Sequence, residues 1–330
     1  MASLPIAVER RSRPPSRGRV RAFVAGLRSG DEIAHLITLM FAASIFLITA
    51  LLVFELWRNS ALPREHFGWR FLWTRVWDPV FENFGALPFI YGTVVTSSVA
   101  LLLAVPLGVG AAIFLAELAP RRISNGLTFL IELLAAIPSV IIGVLGIFIL
   151  VPVVRTTVEP FLKKTLGFLP LFQGPMFGIG LLAASLVLTI MVVPFIISIS
   201  REVLLAVPVE QREAALALGA TKWETTWKVV VPYARTGIFS SVFLALARAL
   251  GETMAVTMVI GNDPKITASL FAPGYSIAAV IANEFTEATG RLYLQSLIEL
   301  GLVLFVVTII INGLARLLIL TTTRRATAHP

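Results

Sequence analysis

The sequence predicts an all-α polytopic membrane protein with six transmembrane helices, and three observations carry that expectation. Of 330 residues, 57% are hydrophobic and only 14% charged, with a mean hydropathy of +0.88. A soluble domain carries about 25% charged residues. Six stretches reach the roughly 20 apolar residues that a hydrocarbon core of about 30 Å demands. They lie near 32–57, 88–116, 127–154, 176–200, 236–260 and 293–320. Finally, the ten-residue alternating strands of a barrel are missing from the pattern, and lipid leaves a spanning backbone only helix or closed barrel.

The first stretch is too long for the apolar core of a signal peptide, and no small-residue cleavage site follows Glu55-Leu56-Trp57. It is expected to stay as a helix. Before it, residues 1–31 form a basic tail with Arg10, Arg11, Arg13, Arg17, Arg19, Arg21 and Arg28. Such a tail is retained in the cytoplasm. Six spans then place both termini inside, which puts 17 Lys/Arg in inside segments against 9 outside. The net charge of +8 is therefore read as loop charge facing the cytoplasm, with no nucleic-acid partner. The expected organisation is the tail 1–31, a first helix and outer loop over 32–87, a core over 88–320 and a C-terminal tail over 321–330.

Several chemistries are excluded. There is no cysteine, so disulfides, thiolate metal sites and Fe–S clusters are absent, and His35, His66 and His329 are too scattered for a metal site. No extramembrane stretch exceeds about 35 residues, too few for a soluble catalytic domain. The sequence has no G-x-x-x-x-G-K-[ST] phosphate loop, no H-E-x-x-H and no G-x-S-x-G. No cofactor and no catalytic residue is expected.

The longest inside loop, 201–235, is the most structured. Residues 209–218 are rich in Ala, Leu and Glu and favour helix. Gly219 fits the position after a helix end where φ is positive. Thr221 with Glu224 three residues on spells a capping box for a second short helix. That helix is expected to end before Pro232, which starts the fifth span. On pattern alone an interfacial hairpin, with Trp223 and Trp227 in the headgroup belt, explains the loop equally well.

The fifth span, taken over 236–260, carries Arg248 as its thirteenth residue, near the bilayer midplane. A charge there costs about 2.5–3.5 kcal/mol on insertion scales and is functional by default. Glu252 follows at i+4 and is expected on the same helix face. A guanidinium offers a planar donor fork that matches an oxyanion. Arg248, Glu252 and Thr253 are the candidate substrate-pathway residues, against a purely structural ion pair. Glu132 and Glu299 are further acids within predicted spans. Pro106, Pro138 and Pro194 fall inside spans as tolerated kinks. Residues 158–168 are expected as a short interfacial helix.

One resemblance sharpens these readings. Glu213-Ala214-Ala215, three residues, Gly219, nine residues, then Val229-x-Val231-Pro232 resembles the E-A-A-x3-G-x9-I-x-L-P signature of importer-type ABC permeases. Ala247-Arg248-Ala249-Leu250-Gly251-Glu252 is similar to the oxyanion branch of that family, which includes sulfate and molybdate members. The continuation Thr253-Met254-Ala255-Val256 resembles permeases of the PstC type from phosphate importers. So do Ile266–Tyr275, Ile281–Phe285 and Ala136–Gly143. The likeness covers about 90–312 and leaves the tail and 58–87 unmatched. It implies the type I ABC importer permease fold in a bacterial inner membrane. It implies that Glu213, Ala214, Ala215 and Gly219 face an ATPase. The partners implied are a PstA-type sister permease, a cytoplasmic ABC ATPase dimer and an extracytoplasmic phosphate-binding protein, with inorganic phosphate as cargo. A permease for sulfate or molybdate, or a secondary anion transporter, is the alternative.

Overall fold

The structure, a computed structural model, describes the backbone of residues 31–326 and the side chains of residues 33–317. The basic tail before Asp31 and the end of the chain after Ala326 lie outside the described residues. Two units are distinguished, Met1–Glu55 and Leu56–Pro330. The first holds most of α1 (Asp31–Asn59), whose apolar run is long enough to cross a membrane.

The second unit contains everything that follows. Short helices α2 (Ala61–Phe67) and α3 (Arg70–Trp73) lead into α4 (Leu87–Leu118). Next come α5 (Arg121–Ala135), α6 (Ser139–Leu166), α7 (Leu181–Leu205) and α8 (Val209–Ala217). The chain ends with α9 (Lys222–Leu250), α10 (Met254–Val259), α11 (Ile277–Glu284) and α12 (Arg291–Ala326). Six helices, α1, α4, α6, α7, α9 and α12, are long and apolar enough to span a bilayer.

Helix α7 is the most buried of these six and forms the axis of its unit. It packs on α4 through Ala100, Ala104, Gly108 and Ala112, all buried at a spacing of four. Lipid offers no hydrophobic drive between helices, so close backbone approach over small residues supplies the contact. At Gly108 a Cβ would fall 2.7 Å from Ile196 of α7. Thr189 of α7 donates to the Ala100 carbonyl at 3.4 Å. On its other side α7 meets α9, where a Cβ on Gly237 would lie 2.3 Å from Val203. The buried hydroxyls of Ser200 and Ser241 bond across the same contact at 2.7 Å.

The start of α7 is closed by the chain that follows α10. The N–H groups of Gly180, Leu181 and Leu182 donate to the carbonyls of Val259, Ala272 and Leu270 at 3.0, 3.1 and 2.8 Å. Those are the donors a helix start leaves orphaned. The Ile277 N–H donates to Thr93 Oγ1 of α4 at 2.9 Å, and Tyr91 donates to the Thr267 carbonyl at 2.6 Å.

Three expectations are corrected. The stretch 127–154 is not one helix: α5 and α6 are parted at Ala136–Pro138. Pro138 has no N–H to continue the ladder and disfavours helix at Ile137. Glu132 therefore sits on α5, where it is exposed. The stretch 236–260 is not one helix either. It ends at Leu250, and α10 follows the break Gly251–Thr253. The short helix expected over 158–168 is present as Glu159–Leu166, but it is not separate: α6 runs into it without a break, with wide π-helical turns at Gly146–Leu150 and Val154–Val158. Pro106 and Pro194 do fall inside helices, as expected.

Replacing Ser241 by Ala is expected to lower thermal stability slightly, by about 0.6 kcal/mol. Gly237→Leu overpacks the same contact and costs about 1–3 kcal/mol. Melting of the purified protein in detergent, followed by size-exclusion recovery, measures both.

Candidate functional site

Two constellations stand out, at the two ends of α9. The first is the α8–α9 turn. The N–H of Gly219 donates to Leu216 O at 2.9 Å and that of Ala220 to Ala215 O at 3.1 Å. This pair of hydrogen bonds closes the end of α8 and requires the positive φ of Gly219, +87°. Thr221 Oγ1 then accepts from the Glu224 N–H at 3.3 Å, and Glu224 Oε2 accepts from the Thr221 N–H at 3.0 Å. Both halves of the capping box are present.

Glu213, Ala214 and Gly219 are exposed and Ala215 is half-buried. Leu218 at the tip is 90% exposed, and Trp223 and Trp227 pack edge to face beside it with centroids 5.5 Å apart. The expected end of the second helix before Pro232 is not found. Helix α9 is continuous from Lys222 to Leu250, and Pro232 lies within it. A π-helical turn at Thr226–Val230 precedes the proline and re-spaces the ladder where its N–H is missing.

Beneath the turn, Arg212 of α8 reaches into the bundle. Its guanidinium donates to Glu117 Oε1 at 2.8 Å and Oε2 at 3.4 Å, and to the Leu204 carbonyl at 2.8 Å and the Val207 carbonyl. Sequence reading passed over this residue. Arg212 and Glu117 stand 95 positions apart, and no period or motif links them.

The second constellation is the break after α9. Arg248 lies in the last turn of that helix and is exposed. Its guanidinium stands 5.8 Å from the Phe195 ring of α7. The expected i, i+4 partnership with Glu252 is not formed, and among the described residues no ion pair joins them. The pairing needed a continuous helix, but Gly251 (φ −94°, ψ 0°) ends it. Glu252 Oε1 instead accepts from the Ala255 N–H at 3.3 Å, at the start of α10. Thr253 Oγ1 donates to the Gly251 carbonyl at 3.3 Å, and Thr257 donates to the Thr253 carbonyl at 2.8 Å. Helix α10 packs on the first turns of α6, where a Cβ on Gly143 would meet Met258 Sδ at 2.6 Å. The two breaks, at 136–138 and 251–253, thus precede helices in direct contact.

Glu299 of α12 is buried and lies 3.8 Å from Arg64 Nε of α2. Between the spans, Tyr275 is buried and accepts from Asn283 Nδ2 at 3.0 Å. Burial pushes its hydroxyl well above the usual phenol range, so it stays protonated. Among the described residues no cluster of His, Asp and Glu is arranged to hold a metal.

A bundle of apolar spanning helices with an exposed, capped helical turn between the fourth and fifth spans describes a transport-system membrane subunit. Residues 104–323 match the family described as "Binding-protein-dependent transport system inner membrane component", and the chain belongs to that family of multi-pass inner-membrane proteins. Its relatives narrow the comparison. It is 47% identical over 311 residues to the phosphate transport system permease protein PstC of Mesorhizobium japonicum, covering 93% of this chain and 95% of that one. The Xylella fastidiosa PstC (strain 9a5c) is 48% identical, with 87% and 90% covered. The probable PstC of Methanocaldococcus jannaschii is 39% identical, with 87% and 92% covered. Among solved structures, a chain of the inward-facing MetNI methionine ABC transporter in its native crystal form has the same fold. Its TM-score is 0.51 at 18% identity, covering 73% of this chain and 98% of that one.

Abolishing the capping box with Thr221→Ala is expected to cost about 1 kcal/mol locally. Hydrogen exchange of the amides at 221–226 should speed up while α7 stays protected.

Proposed function

We propose that the chain is one permease half of an ATP-driven importer of inorganic phosphate. In this reading a homologous PstA-type permease supplies the other half. A cytoplasmic ABC ATPase dimer docks on Glu213, Ala214, Ala215 and the Gly219 turn, and an extracytoplasmic binding protein delivers phosphate. Both termini face the cytoplasm, on the side of the basic loops. The chain does not hydrolyse ATP itself, since it carries no phosphate loop.

The observation that carries the reading is the continuity of α9. One helix joins the exposed α8–α9 turn to the turn bearing Arg248. A displacement imposed on the docking turn therefore reaches the candidate anion station without crossing a flexible link. Leu216 and Leu218 before Gly219 and Trp223 and Trp227 after it are all exposed, which gives the turn an apolar surface for a partner to cover. The near full-length identity to relatives named as phosphate permeases supports the cargo.

In the mechanism, ATP binding closes the ATPase dimer and draws the two docking turns together. The pathway opens outward and accepts phosphate from the binding protein. Arg248, with its guanidinium paired to no carboxylate among the described residues, offers a donor fork to the phosphate oxygens. Glu252 is held at the start of α10, so it does not neutralise Arg248 between cargoes. Hydrolysis resets the turn, and the anion leaves inward.

Labelled phosphate uptake in cells lacking other phosphate importers tests this. Arg248→Ala is expected to cut uptake by about 100-fold, the scale of a lost charge-assisted contact of 2–3 kcal/mol. The ATPase should still copurify. Gly219→Val is expected to lower uptake by about 5- to 30-fold by a different route. No atom lies within 4 Å of a Cβ there, so the penalty of about 1–2 kcal/mol is purely backbone strain. Normal phosphate uptake by Arg248→Ala defeats the site. Sulfate or molybdate uptake by wild type without phosphate uptake defeats the cargo.

A further inference from the structure

We propose that Arg212 is a positioning residue of transport. It locks the docking helix α8 to the ends of α4 and α7, so that motion of the docking turn moves these two helices and not α9 alone. The inference rests on the permease reading above.

The geometry behind it is specific. Helix α8 has no buried side chain of its own to grip the bundle. Arg212 supplies the grip with one fork. It binds both oxygens of Glu117, in the last turn of α4, and the carbonyls of Leu204 and Val207 at the end of α7. Two helix C-termini and a carboxylate converge there. Each helix end carries unpaired carbonyls and a partial negative charge. A carboxylate at a helix C-terminus is unfavourable unless a cation sits beside it. The guanidinium meets all three demands at once, and its planar shape lets it do so without strain.

An exposed pair would count for little, at most about 1 kcal/mol. This one is largely screened from water, with side-chain exposures of 19% for Arg212 and 11% for Glu117. The ends of α4 and α7 that it joins belong to one apolar cluster, which includes Ala112, Ile113, Leu115, Leu204, Val207 and Val230. Removing Arg212 leaves the screened Glu117 carboxylate without its cation and the Val207 carbonyl without this donor, while the Leu204 carbonyl keeps the Val207 N–H at 3.3 Å.

The coupling turn is therefore attached in three ways. Covalently it continues into α9 on one side and, through the three-residue link Ala206-Val207-Pro208, into α7 on the other. Arg212 stiffens that link and adds a tie to α4. With the Arg212 contacts cut, an ATPase would still dock and still move α9. Helix α4 would lose that tie, α7 would be held by the short link alone, and more ATP would be spent per anion moved.

The test uses the complete complex with its ATPase in proteoliposomes, loaded binding protein on the outside. Phosphate taken up per ATP hydrolysed is the readout. Variants are Arg212→Ala, Arg212→Lys and Glu117→Gln. The expected result is a ratio about 5-fold lower or less for Arg212→Ala, with ATPase turnover retained. Lys, a point charge that cannot span all four acceptors, should fall between Ala and wild type. An unchanged ratio, with uptake falling only in step with assembled complex, overturns the proposal. If Arg212→Ala does not assemble, Glu117→Gln decides by the same ratio. If wild type carries sulfate in place of phosphate, the ratio is read on sulfate: the cargo fails and the clamp stands or falls separately. If wild type shows no ATP-driven uptake of any anion, the permease reading and the clamp fall together.

Discussion

Everything in the larger unit depends on how closely α4 can approach α7. Within lipid, two helices gain nothing by hiding apolar side chains from each other, since the solvent is equally apolar. What holds them is dispersion between surfaces that fit, and that requires side chains small enough to let backbones nearly touch. The stripe Ala100, Ala104, Gly108, Ala112 provides such a surface along the whole of the contact. Ile196 fills the notch at Gly108. Once the pair is formed, α7 is a fixed axis. Its start is closed by carbonyls from residues 259–272, its flank by Ser241 and Gly237 of α9, and its end by Arg212. Each later element is positioned against that axis.

Much of this was legible in the sequence. Hydropathy located α1, α4, α7 and α12 to within a few residues, because uninterrupted apolar runs leave lipid no other option. The α8–α9 turn was legible down to its hydrogen bonds, since Gly219 and the Thr221–Glu224 box are local chemistry. Hydropathy failed at 136–138 and 251–253 for one reason. A window average does not register a break of three residues when the flanking helices are both apolar. Pro138 is visible in the sequence but reads as a tolerated kink within a span. Gly251 lies within the apolar stretch 236–260 and marks the end of a helix there. Reading that stretch as one helix carries Arg248 and Glu252 into a pair they do not make.

The clamp under the docking turn was illegible for a different reason. Nothing local to Glu117 distinguishes it from a carboxylate exposed beside a helix end, and Arg212 reads as an ordinary charge in a loop. Their meeting is a product of the fold: α4 and α7 must end at the same level before one side chain can serve both. Composition gives the class of a membrane protein and motifs give its family. Contacts such as that of Arg212 with Glu117 arise between segments that no motif connects.

The continuity of α9 has a mechanical consequence. At 1.5 Å per residue its 29 residues make a rod about 43 Å long. Its tightest contact with α7, at Gly237 and Ser241, lies between the ends, about 22 Å from Lys222 and about 16 Å from Arg248. A rod gripped at two points one turn apart does not pivot freely past the helix that grips it. A displacement at its Lys222 end therefore carries α7 along, and the two turn as one body. The glycine that lets α9 lie so close to α7 thus decides what moves together as well as what packs together.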